Sequence, residues 1–129
     1  MALETSHNQT LLSAHLSVHY AGKSVLRGVQ LEIRGGEVMG LVGQSGSGKS
    51  TLAMTILGLL EKKRARVEGT LRFQDSDLLQ LSERELRALR GRAIALVLQS
   101  PLSSLNPALK IKTQLKEAWR AHASGTGSD

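Results

Sequence analysis

Residues Gly43, Gly48, Lys49 and Ser50 have the spacing with the clearest chemical meaning in this 129-residue chain. They fit the pattern G-x-x-x-x-G-K-[ST], a loop suited to holding a triphosphate. Glycines carry no Cβ, so the backbone turns freely and comes close to an anion. Successive N–H groups then form a concave nest. A helix that starts at Lys49 would point its positive end at the same phosphates. The candidate cradle is Gly43, Gln44, Ser45, Gly46, Ser47, Gly48, Lys49, Ser50 and Thr51. In it Lys49 reaches the terminal phosphates and the Ser50 hydroxyl ligates Mg²⁺. A dinucleotide fold fits less well: there is no G-x-G-x-x-G, and a lysine sits where the helix must approach a pyrophosphate closely.

Such a loop needs a strand before it and a helix after it. The apolar run Val38, Met39, Leu41 and Val42 predicts a buried parallel strand. Leu52, Ile56 and Leu59 or Leu60 predict a helix from Lys49 to Leu60. Upstream, Leu12, Ala14, Leu16 and Val18 alternate with polar residues and predict a strand over 11–20. A turn at 21–24 and renewed alternation through Val29, Leu31 and Ile33 complete an antiparallel hairpin.

Downstream, Glu61 to Arg66 reads as a surface connection, and Val67 to Phe73 as a strand interrupted at Gly69. Ser82-x-x-Glu85 is a capping box, Leu86 and Leu89 supply one apolar face, and Gly91 is a helix stop. Ala93 to Leu98 reads as a second buried strand. Pro101 and Pro107 bracket a loop, and Leu109 to Ala121 predicts a helix with Ile111, Leu115 and Trp119 four apart. On that helix Trp119 reads as a packing residue. Residues 1–10 read as a disordered lead, 11–122 as the folded part and 123–129 as a frayed tail.

A hydrophobic content of 40% against 22% charged residues argues for a globular chain. The net charge of +6 is spread over separate basic clusters, which read as solvated faces, so nucleic acid is not expected as a partner. Without cysteine there is neither a disulfide nor a thiolate metal site, which is compatible with an intracellular location. His15 and His19 share the polar face of the first strand, but two imidazoles alone make a poor metal site. No apolar run reaches the ~20 residues that span a bilayer.

Three separated features coincide with the phosphate loop. Tyr20 ends the first strand, Gln99 ends the second apolar run, and Ser100-Pro101-Leu102-Ser103-Ser104-Leu105-Asn106-Pro107 follows directly. With Glu68-Gly69-Thr70, Asp77-Leu78-Leu79 and Glu85-Leu86-Arg87, this arrangement resembles the ATP-binding subunit of an ABC transporter, in the oligopeptide, dipeptide and nickel importer group.

The resemblance covers about residues 11 to 120. It implies an α/β fold, a P-loop NTPase (ABC ATPase) core that is incomplete, with an N-terminal antiparallel β hairpin and the start of the helical subdomain. It implies ATP and Mg²⁺ as cofactors, and Tyr20 as the aromatic ring that stacks on adenine. It gives Gln99 a catalytic and metal-sensing role, next to Mg²⁺ and the attacking water. The segment after Gln99 would face a coupling helix. Implied partners are transmembrane permease subunits, a second ATP-binding subunit and, indirectly, a substrate-binding protein. The implied location is cytoplasmic, peripheral on the inner face of the cell membrane.

Three further parts of that family's pattern are not found: an LSGGQ-type signature, an apolar strand ending in Asp-Glu, and a switch histidine. Phosphoryl transfer needs a cradle and also a group that positions the nucleophile. The expectation is therefore ATP binding as the N-terminal part of an importer ATPase for peptides or nickel. The alternatives are a truncated, catalytically inactive fragment that binds nucleotide or a partner, and a nucleic-acid-associated P-loop ATPase.

Overall fold

The computed structural model describes residues 9–100 and 104–123. Expectations for the lead 1–8, for Pro101 to Ser103 and for the tail 124–129 lie outside the described residues. Two units divide between Arg87 and Ala88.

The first unit is built on the hairpin. Strand β1 (Thr10–Tyr20) pairs antiparallel with β2 (Lys23–Arg34), so Thr10, the last residue of the expected disordered lead, lies in a strand. Ala21 and Gly22 join them with φ of 49° and 77°. Two left-handed residues make the turn whose twist suits a two-residue hairpin. Alternation along β1 settles its faces: Leu12, Ala14, Leu16 and Val18 are buried, His15 is exposed and His19 half-buried.

The pairing of β1 and β2 shifts register at three places, one of them between Leu16 and Val18. Leu16 faces Val29 and Val18 faces Leu26, so Arg27 and Gly28 bulge opposite Ser17. The Gly28 N–H donates to Ser17 Oγ at 2.9 Å. The bulge brings Leu26 rather than Val25 into the core, because an extra residue moves every following side chain to the other face.

β3 (Ala65–Phe73) pairs with the other edge of β1, and β4 (Ser76–Asp77) with β3, giving the sheet order β2-β1-β3-β4. Gly69 does not interrupt β3, contrary to the expectation. It sits opposite Leu16 with φ of 111°. A Cβ there would lie 2.1 Å from the His15 carbonyl oxygen, so only glycine allows the two strands this approach.

Helix α1 (Lys49–Ile56) ends one turn earlier than expected. The Leu59 N–H donates to Met54 O at 2.8 Å and the Gly58 N–H to Thr55 O at 3.0 Å. That pair of bonds is the Schellman closure, and it stops the helix at its last carbonyls. Leu52, Thr55 and Leu57 are buried, together with Leu71 and Leu78. Helix α2 (Glu83–Leu89) starts at the expected capping box: Ser82 N donates to Glu85 Oε2 at 2.8 Å and Glu85 N to Ser82 Oγ at 3.4 Å. Its Leu86 is buried.

Neither of the two apolar runs forms the buried parallel strand expected of it. Val38 to Val42 has no strand pairing, and Val38 and Val42 are 97% and 92% exposed. Ala93 to Leu98 holds only an isolated bridge between Arg90 and Ile94, and Val97 is 86% exposed. A parallel strand exists only through its neighbours, because its hydrogen bonds and both of its faces depend on them. Among the described residues the only sheet is antiparallel, so the α/β part of the expectation is not formed by these segments.

In the second unit, Asn106 Oδ1 accepts from the Ala108 N–H at 2.9 Å. Helix α3 (Ile111–Ala123) starts two residues later than expected and includes Ala123, the first residue of the expected tail. Gln114 ties it back to the preceding loop: its Oε1 accepts from Asn106 N at 2.9 Å, and its Nε2 donates to Asn106 O at 3.0 Å. Trp119 was expected to pack, yet it is 71% exposed, and Ile111 and Leu115 on the same face are exposed with it.

Candidate functional site

The glycine loop enters α1 through Gly48, the N-cap, whose φ is 91°. That left-handed conformation is strained for any residue with a Cβ. A Cβ on Gly48 would also meet Leu26 Cδ2 at 2.4 Å, so β2 carries the start of the helix directly against its core residue. Gly48 has no side chain to cap the first-turn N–H groups of α1, and that turn contains no acidic residue. The positive end of the helix is therefore uncompensated, which suits an anion.

Lys49 folds back over the loop. Its Nζ donates to Gly43 O at 2.8 Å, Gln44 O at 2.7 Å and Ser47 Oγ at 3.2 Å. All three ammonium protons thus have acceptors inside the loop, and the ring they close brings Gly43, Gln44, Ser47 and Lys49 together. Ser47 N donates to Gln44 O at 3.2 Å and tightens the same turn. Gln44, Ser45, Gly46 and Ser47 are exposed around it, and Ser50 presents its hydroxyl from an exposed position on the first turn of α1.

Tyr20 lies near the same helix end. Tyr20, Val25, Ser50, Thr51, Met54 and Glu61 are among the residues lining one hollow of about 390 Å³. The hairpin places the ring there because Tyr20 is the last residue of β1, opposite Ala65 of β3. Two neighbours carry no motif and were missed in the sequence. The Arg64 guanidinium lies 5.2 Å from the centroid of the Tyr20 ring. The Tyr20 hydroxyl donates to Glu61 Oε2 at 3.5 Å, the outer limit of a hydrogen bond. The adjacent basic run 62–64 was the one available signal, and it reads equally well as a solvated surface.

Gln99 belongs to the second unit, where it is exposed in a bend after the unpaired apolar run. Of the predicted site residues, the first unit thus brings Tyr20 to one hollow with Ser50 and Thr51, the last two residues of the candidate cradle.

A Mg²⁺ ion takes oxygen ligands and keeps several from water and substrate phosphates, with one or two from protein. The exposed Ser50 hydroxyl beside an anion-accepting helix end fits that requirement. No cluster of three His, Cys, Asp or Glu residues that could hold a metal ion exists among the described residues. No helix among the described residues is long and apolar enough to cross a membrane.

Comparison with known proteins bears on the same residues. A family profile described as ABC transporter matches residues 26–126. A probable peptide ABC transporter ATP-binding protein of Sinorhizobium fredii is 41% identical over 112 residues, which are 83% of this chain and 33% of that protein. The dipeptide transport ATP-binding protein of Bacillus subtilis is 40% identical over 111 residues, 84% of this chain and 33% of the relative. Its namesake in Escherichia coli is 37% identical over 117 residues, 88% and 36% of the two chains. The chain thus spans about a third of the length of the curated relatives it matches.

Proposed function

The chain belongs to the ABC transporter family, and on that premise we propose that it binds MgATP and contributes this to a peptide-importing ATPase. The observation that carries the proposal is the loop from Gly43 to Ser50: it closes around the Lys49 ammonium and leads into an α1 end with neither a side-chain cap nor an acidic residue. In this reading the phosphates take over the space in front of the first-turn N–H groups, and Lys49 turns from the loop carbonyls to the terminal phosphates. Ser50 supplies one oxygen to Mg²⁺, and bound Mg²⁺ supplies charge neutralisation of the triphosphate. The adenine ring lies on Tyr20, in the hollow that Tyr20 shares with Ser50 and Thr51. A flat aromatic ring offers stacking worth roughly 1–3 kcal/mol per base, with little selectivity among bases.

Gln99 takes the role of positioning water and Mg²⁺ and of transmitting the nucleotide state to permease subunits. A second ATP-binding subunit and a substrate-binding protein complete the proposed assembly, at the inner face of the cell membrane. Peptides are the proposed cargo ahead of nickel, because the relatives reported above are named for peptide and dipeptide transport. The residues of this chain provide for binding, and we assign it no appreciable turnover of its own.

Calorimetric titration of the chain with ATP, with and without Mg²⁺, tests the reading. Saturable binding that tightens with Mg²⁺, with the Mg²⁺ effect reduced in Ser50→Ala, is expected. No binding of ATP at millimolar concentration would overturn it. Steady phosphate release abolished by Lys49→Ala would overturn the assignment of no turnover.

A further inference from the structure

We propose that Arg64 is a positioning residue for the nucleotide base, acting by backing the Tyr20 ring. The inference rests on the reading of the Tyr20 hollow as the base site. Arg64 approaches the ring to 5.2 Å from the centroid, within the range of a cation–π contact. It does not line the hollow between Tyr20 and α1. It lines a different one, together with His19, Gly22 and Lys62. Its guanidinium thus leaves open the space in which a base would stack, while it restrains the plate on which the base rests.

The backbone fixes this arrangement more firmly than one side-chain contact would. Arg64 N donates to Glu61 O at 2.9 Å, and Arg64 O accepts from Ala21 N at 2.8 Å. The latter bond ties the segment leaving α1 to the hairpin turn that begins right after Tyr20. Glu61 closes the set: its Oε2 lies 3.9 Å from Arg64 Nη1 and accepts from the Tyr20 hydroxyl. One carboxylate therefore lies within reach of both the cation and the phenol. Tyr is free to rotate about two side-chain bonds, and an exposed aromatic ring binds a base best when it is already held in the stacking orientation. A guanidinium is flat and stacks on a ring, whereas an ammonium is a point charge that cannot cover its face.

The test compares two ligands, ATP and inorganic tripolyphosphate, on the full chain and its variants. The second ligand occupies the phosphate loop but has no base. Arg64→Ala is expected to weaken ATP by about two- to five-fold, the range of an exposed cation–π contact, and to leave tripolyphosphate unchanged. Arg64→Lys keeps the charge opposite Glu61 and is expected to fall between the two. It also decides the matter if Arg64→Ala does not fold, because it too must weaken ATP selectively.

Tyr20→Ala serves as the reference. If Tyr20→Ala lowers the ATP-to-tripolyphosphate ratio and neither Arg64 variant does, Arg64 has no positioning role and the base site stands. Equal weakening of both ligands by the Arg64 variants reduces Arg64 to a structural residue and overturns the proposal. If Tyr20→Ala leaves the ratio unchanged, the base-site reading itself fails, and this inference with it.

Discussion

Replacing Lys49 by Met should weaken ATP binding far less than a lone phosphate-binding lysine would suggest. A hydrogen bond to a charged group contributes about 1.5–3 kcal/mol net, so removing an unengaged lysine would cost roughly 10- to 150-fold in affinity. Lys49 is engaged before the ligand arrives: Gly43 O, Gln44 O and Ser47 Oγ accept from it at 2.8, 2.7 and 3.2 Å. To meet a phosphate it must release at least one of these acceptors, each worth on the order of 1 kcal/mol where solvent competes. The difference leaves about 0.5–2 kcal/mol, or a roughly 2- to 30-fold weaker complex. Titration calorimetry of the wild type and Lys49→Met, with tripolyphosphate as ligand, measures it directly. Hydrogen exchange provides the second half of the test. Without the ammonium, the Ser47 amide, which donates to Gln44 O at 3.2 Å, should exchange faster in the ligand-free chain. A loss above about 100-fold, or unchanged exchange in the loop, would refute the reasoning that the loop and the phosphates compete for one cation.

Other substitutions examine the frame around the site. Gly69→Ala places a Cβ 2.1 Å from the backbone oxygen of His15 in a left-handed conformation, which should cost about 3 kcal/mol or more. Denaturant unfolding followed by far-ultraviolet circular dichroism checks this, and a midpoint equal to that of the wild type would contradict the strand contact. The Glu85 carboxylate is held below the ordinary carboxylate range, first by the Ser82 hydroxyl and then by the Ser82 N–H. A lowered folded value means that the cap's contribution is present above the ordinary range and is lost as pH falls through the lowered one. Carbon-detected titration should show Glu85 moving up toward the ordinary range in Ser82→Ala, which removes the hydroxyl and keeps the N–H, and an identical titration in both proteins would disprove the link. The unpaired apolar runs should make the chain self-associate, since strand-forming segments without partners template pairing. Val42→Lys with Val97→Lys should lower light scattering without shifting the unfolding midpoint, and unchanged scattering would clear these runs.

Much of this protein is legible in one dimension because the deciding interactions are local. The order Gly43, Gly48, Lys49, Ser50 is readable as a phosphate-loop pattern wherever it lies, since the donors it would offer all belong to one short stretch of backbone. The period of two in Leu12 to Val18 makes β1 amphipathic, and Ser82 and Glu85 mark the start of α2 through bonds that span three residues. The resemblance drawn from Tyr20, Gln99 and the segment to Pro107 named the family that the profile over residues 26–126 supports.

Tertiary structure decided whatever depends on a neighbour distant in the chain. Val38 to Val42 and Ala93 to Leu98 have the composition of buried strands, but composition cannot supply the partner that a parallel strand needs, and both are exposed. Gly69 looks like a break in sequence and is instead the point where β3 touches β1. Arg64 and Glu61 follow Tyr20 by more than forty positions and carry no motif. They come to its ring because β3 returns antiparallel along β1 and brings Ala65 opposite Tyr20. The proposed cradle is thus written in a local run of residues, whereas the setting of the Tyr20 ring is a product of strand register.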